Sequence, residues 1–297
     1  MRIAVVGGRG QLAAAVAHEC RAAHDVVSLS RLELDVTDDE AVAAAMDRVR
    51  PQAIVNGAAF TDVDAAEDQP VSALNINAFA VRALARAART HDATLVHYST
   101  DFVFDGKTTV PHVESDRPNP QSVYAASKLL GEWFALDAPR AYVLRVESLF
   151  GRAPDGGPEK GSVAGIVKTL MNGGSPKVFA DRTISPTYVL DAARATRQLL
   201  ESGAEPGLYH CVNTGQCTWL ELAQTLAERL GGPDLAARLI PVRMSEMTLK
   251  AIRPQFCALS NAKLRAAGID MPAWQDALES YLTGIRHQLA DHPSHRE

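Results

Sequence analysis

Short, nearly unbroken apolar runs alternate with helical patterns through the first half of this chain, and few folds accept that alternation. The runs cover residues 3–6, 26–29, 53–56, 94–99 and 141–146, with helical patterns over about 11–22, 38–49, 71–90 and 122–136. A strand that is apolar on both faces must be covered on both faces, which is the condition of a parallel sheet clad in helices. Right-handed crossovers then give a doubly wound α/β architecture. Asp38 is placed to cap the second helix, because its carboxylate can accept from the first free N–H groups.

Beyond Gly151 the texture changes. Residues 152–165 are rich in Gly and Pro and read as a loop, followed by a helix to about 171. Short strands are expected near 177–179 and 207–211, and helices near 189–200, 219–230 and 272–289, with a frayed polar tail at 292–297. This divides the chain into a sheet domain, 1–151, and a smaller α/β lobe, 152–297. The lobe is partly interleaved with the first domain and lies over the carboxyl edge of the sheet, where open parallel sheets bind ligands.

Composition narrows the setting. With 297 residues, 46% of them apolar, the chain can bury a large core without staples. No apolar run approaches the roughly 18 residues that span a bilayer, and the first residues read as a strand rather than a signal peptide. A soluble, cytoplasmic protein with no membrane partner is the expectation. The 30 basic and 35 acidic residues are interspersed, with no basic stripe, which disfavours nucleic acid. Cys20, Cys211, Cys217 and Cys257 lack zinc-knuckle spacing and read as free structural thiols. No compact carboxylate cluster stands out, and no metal is assigned.

The first run ends in Gly7-x-x-Gly10-x-x-Ala13, directly before a helix. Gly7 supplies the backbone angles of the turn, Gly10 allows close approach to a pyrophosphate, and the small Ala13 lets the helix lie near the sheet. The first-turn N–H groups, beginning with Gln11 and Leu12, then face the phosphates with the positive helix end behind them. After the second run the chain reads Ser28-Leu29-Ser30-Arg31-Leu32, with no carboxylate before Glu33. An acid there would bind the ribose hydroxyl of NAD, whereas Arg31 beside Ser30 favours the 2′-phosphate of NADPH, with NADH left possible. Asp35 and Val36 are expected near the adenine, and the small Ala58 and Ala59 against the cofactor or between sheet and helix.

Tyr124 and Lys128 stand four apart on a helical pattern, so their side chains share a face. An ammonium beside a phenol favours phenolate, making Tyr124 a better acid–base group. Thr100 follows the fourth run, where its hydroxyl could meet a carbonyl oxygen. His97, Trp219 and Trp274 are expected in the core.

With these residues in place, the chain resembles the extended short-chain dehydrogenase/reductase family, and within it the dTDP-4-dehydrorhamnose reductases. Carrying the resemblance are Gly10-Gln11-Leu12, the stretches 56–64 and 99–106, Asn119-Pro120 before Tyr124, Ser185-Pro186-Thr187, Tyr209-His210 and Arg253-Pro254. It implies NADPH-dependent reduction of the 4-keto group of a nucleotide-activated deoxyhexulose. Tyr124 would donate the proton, Thr100 would bond the same oxygen, and Lys128 would hold the nicotinamide ribose. A homodimer is the family expectation. The substrate side would include Asp101, Phe102 and Glu147, with Arg182 and Arg253 as diphosphate contacts.

Three departures from the family pattern stand out. Phe102 replaces the usual Tyr. Arg145-Val146-Glu147-Ser148 stands for Arg-Thr-Ser-Trp, and Arg182 for Gln. These keep open a different sugar, another sugar-nucleotide epimerase or reductase, or a dinucleotide-binding regulatory subunit. A 4,6-dehydratase would carry Thr-Asp-Glu where Thr100-Asp101-Phe102 stands.

Overall fold

A computed structural model describes residues 1–154 and 159–291. Its first half runs β1 (Arg2–Val6), α1 (Gln11–Arg21), β2 (Asp25–Leu29), α2 (Asp39–Val49), β3 (Ala53–Asn56), α3 (Val63–Asp68), α4 (Pro70–Leu74), α5 (Ala80–Thr90), β4 (Thr94–Thr100), α6 (Val123–Leu136) and β5 (Ala141–Val146). Asp38 caps α2 as its position suggests, accepting from Glu40 and Ala41 at 3.0 Å. The long helix expected over 71–90 is interrupted: a π-helical turn, Asn75–Phe79, joins α4 to α5.

The second half contains β6 (Leu149–Phe150), α7 (Ser162–Met171), β7 (Lys177–Phe179), β8 (Thr183–Ile184), β9 (Thr187–Tyr188), α8 (Val189–Ser202), β10 (Gly207–His210), β11 (Cys217–Thr218), α9 (Trp219–Gly231), α10 (Pro233–Ala236), β12 (Ile240–Val242), α11 (Ala262–Ala266) and α12 (Trp274–Asp291). The glycine-rich stretch gives way to α7 at Ser162, a few residues earlier than expected. The frayed tail expected at 292–297 lies outside the described residues.

Six strands form one parallel sheet in the order β10-β5-β4-β3-β1-β2. Successive strand residues point to opposite faces, and both faces of β1, β3, β4 and β5 are largely buried. Ile3, Val5, Val55, Val96 and Leu144 pack with α1 and α8, while Ala4, Val6, Ile54, Leu95 and Val143 pack with α2 and α5. This is the doubly wound α/β fold, and the apolar strands have its covered faces as their cause. The strand near 207–211 joins this sheet beside β5, and α8 lies on α1, tied by Arg197 to Glu19 at 2.9 Å.

A separate core holds the lobe together, built from Phe150, Leu170, Leu222, Leu226, Leu278 and both Trp219 and Trp274. Among the described residues no helix is long and apolar enough to cross a membrane. All four cysteines are free and buried.

Candidate active site

The chain turns away from β1 in opposite directions, to β2 on one side and to β3 on the other. That places a crevice at the carboxyl ends of β1 and β3. Two tight turns line it. Gly7 adopts φ 74°, and a Cβ there would fall 2.7 Å from the Ala58 nitrogen. A Cβ on Gly57 would meet the Ala13 methyl at 2.7 Å, which is why the third small residue of the motif must stay small. Gly10 begins α1 without a side-chain cap, and the first turn carries no acid. Its free N–H groups and dipole are therefore unopposed, as a pyrophosphate cradle requires.

Around this cradle the expected residues differ in what they offer. The Leu12 side chain is buried in the core, and the Gln11 amide donates to Gly151 O at 2.6 Å, so both present backbone rather than side chain to the crevice. Ser30 is buried, and its N–H is taken by Glu33 at 2.8 Å. Arg31 is exposed at the end of β2. Asp35 holds the next turn by accepting from Thr37, and Val36 packs in the core. Ala58 is half-buried and Ala59 exposed, so Ala59 does not fill space between sheet and helix.

Thr100 ends β4, and Tyr124 and Lys128 lie on α6, whose start is fixed twice. Ser122 caps it, accepting from Ala125, and Glu67 accepts from Val123 N at 2.8 Å. Farther along α6, the buried Glu132 accepts from Arg145 Nε and Nη2 at 2.8 and 2.7 Å and from the Ser99 hydroxyl at 2.6 Å. This network locks α6 to β4 and β5. Asn77, in the π-helical turn, also reaches α6. Its amide donates to Ser127 at 2.9 Å and to Phe60 O, while its oxygen accepts from Phe60 N. A Cβ on Gly131 would lie 2.2 Å from Asn77 O, so only glycine permits this approach. Glu67, Asn77 and Glu132 were not anticipated from sequence; the π-helical insertion has no local signature that a helical periodicity would show.

Electrostatics at the pair differ from expectation. Burial pushes the Tyr124 phenol above its ordinary range, with a Thr100 hydrogen bond working the other way and nearby Asp101 adding to the rise. The Lys128 ammonium donates to Tyr98 O at 2.5 Å, and burial lowers its pKa to about 8 despite Glu132. Desolvation outweighs the helical neighbour here. His97 is a core residue, held by Asn56 at 3.1 Å and kept neutral by burial and by Lys128.

Of the residues expected on the substrate side, Asp101, Phe102, Glu147 and Arg182 form one cluster. Arg182 lies over the Phe102 ring, 5.1 Å from its centre, and Phe102 meets Tyr124 edge-on at 5.6 Å. The same guanidinium donates to Pro254 O and Cys257 Sγ and sits 3.6 Å from Asp101 Oδ2. That engagement corrects Arg182 as a diphosphate contact: it is a buried counter-ion. Glu147 is buried as well and accepts from Ser185 N at 2.7 Å. A carboxylate oxygen of Asp101, one of Glu147 and the Cys257 sulfur lie within 4.8 Å of one another, and Arg182 supplies the positive charge among them. Arg253 grips Asp64 with two hydrogen bonds, at 3.0 and 2.8 Å, which hold the Asp64 carboxyl down to about 2.

Comparison with known proteins agrees with this geometry. A family model described as the RmlD substrate binding domain matches residues 1–287. The dTDP-4-dehydrorhamnose reductase of Mycobacterium tuberculosis is 34% identical, over 95% of this chain and 92% of that protein. A Streptomyces antibioticus protein named probable dTDP-4,6-dihydroxy-2-methyloxan-3-one 4-ketoreductase is 33% identical, covering 100% of this chain and 99% of its own. The crystal structure of dTDP-4-dehydrorhamnose reductase from Bacillus anthracis in complex with NADP matches with a TM-score of 0.88 at 30% identity, over 95% of this chain and 98% of that one.

Proposed function

The chain belongs to the RmlD substrate binding domain family, and from that premise we propose that it is an NADPH-dependent oxidoreductase reducing the 4-keto group of dTDP-4-dehydrorhamnose. The observation that carries this reading is the meeting of Thr100, Tyr124 and Lys128 at the same sheet edge as an uncapped glycine turn. NADPH, when bound, supplies the hydride. The N–H groups at the start of α1 would take its pyrophosphate, Arg31 its 2′-phosphate, and Lys128 its nicotinamide ribose, with Ala58 and Ala59 leaving room for the rings.

Tyr124 gives its phenolic proton to the substrate oxygen as negative charge develops there, and Thr100 stabilises that oxygen with a hydrogen bond. Burial keeps the phenol protonated until then, so the proton is present when it is needed. Phe102 offers the sugar an apolar face. Arg253 is the remaining cation for the diphosphate, its guanidinium already oriented by Asp64. The protein works in the cytoplasm, with a homodimer as its expected assembly.

Loss of NADPH absorbance with dTDP-4-dehydrorhamnose generated in situ tests the reading. Tyr124→Phe should lower kcat about a thousandfold, within the range for a lost general acid, and leave NADPH affinity within about twofold. Near-parental turnover in that variant would remove Tyr124 as the proton donor. No turnover in the parent, with NADPH still bound, would overturn the substrate.

A further inference from the structure

Two carboxyl groups and one guanidinium are shut away from water next to the reacting phenol. Asp101 and Glu147 are 3% and 2% exposed, with one carboxylate oxygen of each within 4.8 Å of the other. Arg182 is the cation against them. Each acid has one oxygen engaged: Asp101 Oδ1 by the Thr100 hydroxyl at 3.0 Å, Glu147 Oε2 by Ser185 N. The other oxygens, Asp101 Oδ2 and Glu147 Oε1, are buried and have no hydrogen-bond partner. Two full negative charges cannot persist so close together in a dry site facing a single positive one.

We propose that Asp101 and Glu147 hold one proton between them at neutral pH, and that Glu147 thereby serves as a positioning residue for the Thr100 hydroxyl. The inference rests on the reductase reading for its catalytic consequence, but not for the proton itself. The remaining titratable groups facing the pair are the Cys257 and Cys217 thiols and the Tyr124 phenol; burial keeps all three protonated, so none adds a charge. Burial pushes both carboxyls upward, and the Asp101 charge adds to the rise at Glu147, in agreement with a retained proton.

The consequence lies in the direction of one hydrogen bond. Thr100 has a single hydroxyl hydrogen, and it points to Asp101, while Phe102 N donates to the Thr100 oxygen at 3.2 Å. Toward an ionised Asp101 that hydrogen stays committed. When the shared proton sits on Asp101, its neutral carboxyl holds the Thr100 hydrogen less tightly, and Thr100 can turn it to the substrate oxygen. Nothing is consumed, because the pair keeps its proton and Tyr124 supplies the one transferred. Glu147, Arg182 and Phe102, three separate departures from the family pattern, are then parts of one arrangement.

The sign follows directly. Activity is retained while the pair holds its proton and is lost as pH rises past the point where it ionises. In Glu147→Gln the repelling charge is gone, Asp101 ionises beside Arg182 at lower pH, and the alkaline limb of the kcat profile should move down by about one pH unit or more. At pH 7 kcat should fall about tenfold, with the KM for NADPH changed by less than about twofold. A kcat profile superimposable on the parent's overturns the proposal. An infrared pH titration of the unsubstituted chain reads the proton whether or not the protein turns over. A protonated carboxyl signal should persist above about pH 6, beyond the ordinary carboxylate range. Complete ionisation below that pH overturns the pair, even if Glu147→Gln does not fold, and leaves the reductase reading untouched.

Discussion

On the side proposed for the nucleotide the chain presents mostly backbone: two glycine turns, an uncapped helix start and small residues, with Arg31 exposed at the margin. On the side proposed for the sugar it presents buried charge, with Asp101, Glu147 and Arg182 nearly closed to water and balanced against one another. The first side works by leaving space and can be reached by solvent without loss. The second works only while its charges remain matched, because no water is there to screen an error. One cleft thus depends on shape at one end and on charge balance at the other.

Arg182→Leu tests that contrast most severely. It strips the cation from two buried carboxyls, and urea unfolding should show a loss of about 3–5 kcal/mol. A variant as stable as its parent would show that charge balance does not hold the sugar side. Gly7→Ala attacks the other side. Its methyl group would meet the Ala58 nitrogen at 2.7 Å in a left-handed backbone, costing about 1–3 kcal/mol. Calorimetry should find NADPH binding weakened by about tenfold or more, while kcat at saturating NADPH stays near the parent's. Arg31→Glu sharpens the same side without touching its backbone. NADPH affinity should fall by about ten- to hundredfold, as expected for losing one hydrogen bond to a charged group, with NADH nearly unaffected. Equal loss for both cofactors would remove Arg31 from the 2′-phosphate.

The same contrast explains what could be read from the chain. The glycine turn, the strand before it and the helix after it lie within a dozen residues, and their chemistry is set by spacing. Tyr124 and Lys128 share a helix face for the same reason. Asp101, Glu147, Arg182 and Cys257 come from four distant segments, so no spacing announces them. Arg182 was expected on a diphosphate because a lone Arg reads as an available cation until its counter-ions are known. Asn77 escaped for another reason: a π-helical turn inside a helical pattern keeps the apolar rhythm while shifting which side chain faces α6. Likewise, Lys128 was expected to sharpen Tyr124 as an acid, but sequence carries no measure of how dry the site is.

Strand β10 completes the sheet beyond β5 only after residues 207–210 have left the ribosome. Until then Ala141–Val146 is an open edge, with Arg145 lacking its His210 neighbour and Tyr142 its Tyr209 ring. A nascent chain halted in the lobe would carry an apolar β-edge that other chains can pair with. Closing that edge is the work of a strand that lies some sixty residues later in the chain.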